Sequence, residues 1–345
     1  MDYKYKVIVR CQTYNHASYI VDTLNGFCMQ QTSFPFVCAI VDDCSTDGEQ
    51  KIIESYLQNN FDFEDGGIAR NEKDGSYQFY FARHKLNKNC YFAVFFLAFN
   101  HYSIKKTKQP YFKEWQSKSQ YIAVCEGDDY WTDPSKLQKQ ADFLDSHPDF
   151  SICSHDFIKY NQLTNSFYNH SFFFSLFTRK NNEQIEYIEY TLDTFFDRWW
   201  TQPLTYMYRN GSYLDLIPSY KYRYYRDTVF AYYVLKEGKG ALLNFLGGVY
   251  RLHDNGIYAG KDIAYNWKIG VKNGYDIYSI EKDERALKHC LRYEHHRVYN
   301  LINSKRYKEL AIDLFSFAKL MPVRVSFQLL KLLFFDKVNY WKSLL

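Results

Sequence analysis

Three features of this 345-residue chain predict an α/β fold: a mostly parallel open sheet flanked by helices, followed by a C-terminal helical extension. Strand-like and helical patterns alternate from the N-terminus, the order that builds a parallel sheet with right-handed crossovers. Apolar runs at 36–41 and 121–125 lack any polar face, as strands buried on both sides do. Both runs end abruptly in acidic residues, which places carboxylates at the rim of the sheet, where open α/β folds bind ligands.

Taken in order, residues 5–10 read as a first strand, 11–16 as a polar break and 17–31 as a helix. The second strand, 36–41, runs into Asp42-Asp43-Cys44-Ser45-Thr46-Asp47-Gly48, and 49–59 is helical. Residues 61–75 are acidic and glycine-containing, so they read as a loop before a third strand at 77–82. Phe92, Phe95, Phe96 and Phe99 share one face at helical spacing, which predicts a helix over 89–102. Residues 103–119 read as a basic insertion. The strand at 121–125 ends in Glu126-Gly127-Asp128-Asp129-Tyr130-Trp131, and a helix over 135–146 follows Asp133-Pro134. A strand is expected at 150–153, then an aromatic, irregular stretch over 155–190 suited to hairpins or an acceptor-side flap. A helix at 192–200, a short strand at 204–208, a helix at 222–237 and an apolar hairpin over 240–250 complete the pattern. From 263 onward the pattern is helical, with no internal repeat.

Composition bounds the function. At 46% hydrophobic and 24% charged the chain is an ordinary globular protein, with 20% aromatic residues as its one anomaly. Aromatic faces stack on sugars and bases, although a codon bias would give the same count. The eight cysteines include no Cys-x-x-Cys pair, which removes zinc-ribbon and thioredoxin-type readings and favours free thiols in a reducing compartment. No signal peptide is apparent and no run reaches the roughly 18 apolar residues of a membrane span, so a cytoplasmic protein is expected. The net charge of +4 is gathered in residues 301–345, and no dense basic stripe accompanies it, which argues against nucleic-acid binding.

Carboxylates crowded at a strand end repel one another unless a cation or a hydrogen-bond network compensates them. Oxygen ligands favour a hard ion such as Mg²⁺ or Mn²⁺ shared with phosphate oxygens. A solvated acidic turn capping the helix near Pro134 is the plain alternative. No G-x-G-x-x-G follows the first strand and no P-loop sequence occurs, so a phosphate-bearing ligand would rely on a metal rather than a glycine cradle.

Several separated segments together resemble the family 2 glycosyltransferases, inverting nucleotide-sugar-dependent enzymes of the GT-A fold, in particular those building bacterial capsule, exopolysaccharide or lipopolysaccharide. They are Thr13-Tyr14-Asn15, the Val41–Gly48 acidic segment, Glu126-Gly127-Asp128-Asp129-Tyr130-Trp131-Thr132-Asp133-Pro134 with Lys136-Leu137, Arg226-Asp227, and Tyr250-Arg251-Leu252-His253. The resemblance implies a glycosyltransferase domain over 1–260, with a nucleotide-sugar-binding half at 1–133 and an acceptor and catalytic-base half at 134–260. Residues 261–345 lie outside it as the helical extension. It further implies that Thr13, Tyr14 and Asn15 line the base pocket and that Asp43 accepts a hydrogen bond from uracil. Asp128 would contact the ribose, Asp129 would ligate Mg²⁺ or Mn²⁺, and His253 would complete the metal shell. Asp227 would be the catalytic base, a single carboxylate sufficing for an inverting displacement. Trp131 is expected to stack on the donor, with core packing as the alternative. Glu126 stands where the family usually carries Asp, and Arg226 departs from the residue usual before the base.

The implied activity is transfer of a sugar from a nucleotide sugar, UDP-linked, to a hydroxyl of a glycan or lipid-linked glycan. A non-catalytic nucleotide-sugar or glycan-binding module on the same fold is the rival, favoured by Arg226. A nucleotidyltransferase would need a glycine-rich basic loop after the first strand, and 11–16 has none. Residues 314–345 mix apolar clusters with lysine and arginine, which suits either a helix pair packed on the domain or a basic helix lying on the inner membrane surface.

Overall fold

A computed structural model describes residues 3–64, 66–71, 75–177, 185–200, 202–223, 227–254, 256 and 263–320. These residues form two compact units. The first comprises the described parts of Met1–Leu192, Trp199–Leu216 and Tyr233–His253, and the second those of Asp193–Arg198, Ile217–Tyr232 and Asp254–Leu345.

The strands are β1 (Tyr5–Thr13), β2 (Phe36–Asp42), β3 (Phe61–Asp62), β4 (Ile68–Asn71), β5 (Tyr77–His84), β6 (Cys90–Leu97), β7 (Ser119–Val124), β8 (Tyr130–Trp131), β9 (Phe150–Asn161), β10 (Ser166–Phe167), β11 (Tyr187–Tyr190), β12 (Met207–Arg209) and β13 (Lys239–Leu252). The helices are α1 (Ile20–Cys28), α2 (Glu49–Asn60), α3 (Gln109–Ser117), α4 (Lys136–Ser146), α5 (Phe174–Phe177), α6 (Leu192–Phe195), α7 (Asp227–Val234), α8 (Ile263–Glu281), α9 (Glu284–Asn303) and α10 (Tyr307–Leu320).

One sheet runs through the first unit in the order β11-β13-β9-β12-β7-β1-β2-β6-β5-β3. Pairs β7–β1, β1–β2, β2–β6 and β9–β13 are parallel. β12 is antiparallel to both β7 and β9, so β9 and β13 point the same way as β7. The carboxyl ends of β1, β2, β7 and β13 therefore lie along one rim. Every residue of β2 is buried, as its unbroken apolar run requires.

The sheet is mixed: β12, β11 and β5 add antiparallel pairings on either side of the parallel β7-β1-β2-β6 core. Residues 89–102 were expected to be a helix; residues 90–97 are strand β6, antiparallel to β5. Residues 240–250 do not fold back as a hairpin but form the single long strand β13, with register shifts between Leu243 and Gly248. The loop expected at 61–75 contributes the short strands β3 and β4, and the basic stretch at 103–119 contains α3.

The second unit is helical. Val271, Leu287, Cys290, Leu291 and Phe317 pack together from α8, α9 and α10. Asp283 caps α9 by accepting from the Arg285 amide, and the Tyr232 hydroxyl donates to the same carboxylate at 2.9 Å. Among the described residues no helix is long and apolar enough to cross a membrane. The surface-binding expectation for 314–345 rests largely on residues 321–345, which lie outside the described residues.

Glu294 on α9 is 1% exposed, and burial pushes its carboxyl up to about 7 although Arg297 and Lys268 oppose the shift. A carboxyl raised in the fold holds a proton the unfolded chain has released. Its contribution is therefore complete below the unfolded value near 4.5 and is lost as pH rises through about 7. Glu294→Gln should keep the neutral form at all pH and remove up to about 3 kcal/mol of the stability lost between pH 5 and 8. Urea midpoints of wild type and variant at the two pH values measure this; parallel pH dependence in the two proteins would refute it.

Candidate functional site

Loops from the rim supply the polar residues. β1 ends at Thr13 and passes through Tyr14, Asn15 and His16 before α1. Asn15 takes the left-handed conformation at φ 57°, which Asn tolerates better than most residues. Its amide donates to Ser45 Oγ at 2.9 Å, and its side-chain oxygen accepts from the Thr46 amide at 2.8 Å. Glu49, at the start of α2, gathers this loop: it accepts from the Thr13 hydroxyl, from the His16 amide at 2.8 Å and from the Ser45 hydroxyl at 2.8 Å. Burial raises the Glu49 carboxyl to about 7.

The loop after β7 is pinned against β1. The Cys125 and Gly127 amides donate to the Arg10 and Gln12 carbonyls, at 3.2 and 3.0 Å. A Cβ on Gly127 would lie 2.1 Å from Thr13 Oγ1, so only glycine permits this approach. The Thr23 hydroxyl on α1 reaches the carbonyls of Gly127 and Asp129, at 3.0 and 2.7 Å. β8 then pairs with β13, Trp131 opposite Gly248, which carries the end of β13 alongside.

Two adjacent carboxylates diverge here. Asp128 Oδ2 lies 3.0 Å from His253 Nε2 and 3.8 Å from His16 Nε2. Asp129 is 2% exposed and turns inward, where its carboxylate accepts from the Arg251 amide at 2.9 Å. Burial would raise Asp128, but the His253 contact and the two imidazoles outweigh it and hold that carboxyl below the usual range. Burial and the neighbouring Asp128 charge push Asp129 well up. Burial lowers His16, which favours its neutral imidazole.

His16, Asp128 and His253 each offer a ligand atom within 4.8 Å of the others. The His16 and His253 rings meet edge-on with centroids 5.8 Å apart. Asp128 Oδ1 is buried with no hydrogen-bond partner in the structure. A carboxylate with one oxygen against two imidazole nitrogens and the other without a partner is a donor set that fits a divalent cation.

The structure redistributes the expected roles. Asp128, not Asp129, joins His253 in the candidate cation cluster, because the turn after Gly127 sends alternate side chains to opposite sides. Trp131 is 2% exposed, packs on Phe27 at 4.9 Å and donates its indole N–H to the Leu204 carbonyl at 2.9 Å. It is a core residue and not a stacking platform. Thr13 is 3% exposed with its hydroxyl committed to Glu49, so it shapes the loop rather than presenting a donor; Tyr14, 42% exposed, presents its ring. Asp43 is 1% exposed and accepts from the amides of His101 and Tyr102 and from Lys108 Nζ, at 2.7, 3.1 and 2.7 Å. A carboxylate accepts about four hydrogen bonds, so a base N–H would be the fourth. Asp42 caps the following turn through Ser45 and Gln50. Arg251 spends its guanidinium on Asp22, Gln162 and the Asp128 carbonyl, at 2.7, 2.7 and 2.9 Å, and is a clamp for the loop. Asp227 is the first residue of α7, exposed, and belongs to the second unit; Arg226 lies outside the described residues.

Sequence reasoning missed His16, Glu49 and Lys108. His16 stands directly beside the Thr13–Asn15 segment, and an imidazole at a strand end was the available signal. Glu49 read as an ordinary first-turn helix residue, and Lys108 was one of several lysines in a basic stretch.

Residues 11–76 match the family model described as glycosyl transferase family 2. Uncharacterised proteins of Mycobacterium bovis and Mycobacterium tuberculosis are 32% identical over 41% of this chain. The match spans 32% of the length of those relatives, about a third. S. aureus TarS, solved with UDP-GlcNAc, has the same fold: TM-score 0.55, 17% identity, 93% of this chain and 82% of that chain. A second S. aureus TarS structure gives TM-score 0.55 at 18% identity over the same shares.

Proposed function

We propose that this chain, whose residues 11–76 match the glycosyl transferase family 2 model, is a glycosyltransferase that moves a sugar from a nucleotide sugar to a hydroxyl of a glycan or lipid-linked glycan, with inversion, in cell-surface polysaccharide synthesis. The observation that carries the reading is the convergence of His16, Asp128 and His253 at the carboxyl ends of β1, β7 and β13, next to the matched segment. Asp128 and His253 would hold Mg²⁺ or Mn²⁺. When bound, such an ion offsets the negative charge that cleavage of the sugar–phosphate bond leaves on the diphosphate. The 13–16 loop and the Asp43 region receive the nucleoside, with Tyr14 offering a ring face and Asn15 holding the loop shape.

Asp227 takes the proton of the attacking hydroxyl. On the acceptor side, Phe167, Tyr168, Phe172 and Phe174 expose 53, 49, 42 and 46% of their surface and offer faces on which sugar rings pack. S. aureus TarS was solved with UDP-GlcNAc, which makes UDP-linked sugars the first donors to try.

The test is a panel of UDP-, GDP- and dTDP-sugars with Mn²⁺, Mg²⁺ or chelator, read by nucleotide release and by mass of a glycosylated acceptor. Release from the UDP set that requires the cation is expected. Tight nucleotide-sugar binding with no release from any donor would leave a binding module instead. Release that persists in chelator would refute the cation-dependent form of the reading.

A further inference from the structure

We propose that His16 is a third protein ligand of the cation, so that the site presents two imidazoles and one carboxylate and selects first-row transition ions over Mg²⁺. The inference rests on the cation-site reading above and concerns the donor set within it.

The geometry that carries it begins at Glu49. With Glu49 ionised, the Thr13 hydroxyl donates to Glu49 Oε1, and Thr13 Oγ1 turns a lone pair toward His16 Nδ1 at 3.1 Å. In that arrangement His16 Nδ1 carries the imidazole proton and Nε2 is left as a bare lone pair. That nitrogen is the one 3.8 Å from Asp128 Oδ2. Hydrogen bonding at the far nitrogen is what fixes a ligating tautomer in metal sites. The His16 backbone is held as well, through its amide to Glu49 at 2.8 Å. A loop residue whose ring and backbone are both held beside the Asp128 carboxylate is arranged as a ligand.

The consequence is selectivity. Mg²⁺ demands near-octahedral oxygen and retains its waters, so a second imidazole gains it little. For Co²⁺ and Mn²⁺ each imidazole is a favourable donor, and affinities follow the usual order for nitrogen ligands, Co²⁺ above Mn²⁺.

The experiment uses the full chain and the metal ions alone, without nucleotide. Calorimetry should show Co²⁺ and Mn²⁺ binding at least about tenfold tighter than Mg²⁺ in wild type. His16→Gln should weaken Co²⁺ by about 10-fold or more and narrow its margin over Mg²⁺, and it should shift the Co²⁺ d–d absorption bands. Pulsed electron paramagnetic resonance on Mn²⁺ bound to wild type counts coordinated nitrogens directly and needs no variant. Two imidazole nitrogens support the proposal, and one overturns it. Unchanged Co²⁺ affinity and spectrum in folded His16→Gln also overturn it, leaving the Asp128–His253 site standing. No Co²⁺ or Mn²⁺ binding to wild type at all overturns the cation site and this proposal with it.

Discussion

Asp227→Asn is expected to lower sugar transfer by about 10²- to 10⁴-fold, the range a positioned base contributes, while donor binding is retained. Single displacement with inversion needs one carboxylate on the face opposite the leaving group, and it needs that carboxylate to accept a proton as the acceptor oxygen attacks. Asparagine keeps the size and the hydrogen-bonding reach of the side chain but takes no proton at neutral pH. Asp227 opens α7 and is exposed, so the substitution leaves no buried charge or cavity behind it. The loss should therefore fall on kcat, with the KM for donor and the thermal midpoint close to wild type. Transfer within about threefold of wild type would remove Asp227 from the base role and leave the donor site as described.

What the sequence disclosed, and what it concealed, follows from how burial writes itself into residue order. β2 and the 121–124 part of β7 were readable because strands buried on both faces are apolar without interruption and end where the polar rim begins. The same property hid β6. Phe92, Phe95 and Phe96 of β6, with Phe99 two residues beyond it, fall at helical spacing only because every position of that strand is apolar, and a run with no polar face carries no period. The antiparallel pairing of β5 with β6 then replaced an expected crossover.

At the rim, the acidic residues were visible but their directions were not. Asp128 and Asp129 are neighbours in the chain, and which of them faces His253 is settled by the Thr23 and β8–β13 contacts, from 106 and 122 residues away for Asp129. His16 escaped notice because its partners are Asp128 and His253, both remote in sequence. Trp131 was misassigned because a tryptophan beside an acidic loop reads alike whether it faces a sugar or Phe27.

The contrast between the two adjacent carboxylates yields the second large effect. Asp128→Asn should reduce Mn²⁺ affinity by about 100-fold or more, since loss of a mere supporting partner in a metal site costs 10- to 100-fold and a direct ligand exceeds it. Nucleotide binding that depends on Mn²⁺ should fall with it, and transfer should fall further. Asp129→Ala should behave differently. It removes the acceptor of the buried Arg251 amide, which costs about 1–3 kcal/mol of stability, and leaves the Mn²⁺ affinity of the folded protein within a few-fold of wild type. Titration calorimetry with Mn²⁺ and with UDP, beside urea unfolding, separates the two outcomes. If Asp129→Ala abolished Mn²⁺ binding while Asp128→Asn spared it, the cation would sit on the Arg251 side of the loop, where the Asp129 carboxylate already faces a backbone amide. His16 and His253 would then serve Asp128 only as hydrogen-bond and charge partners, and the order of ligands drawn from the geometry would have to be reversed.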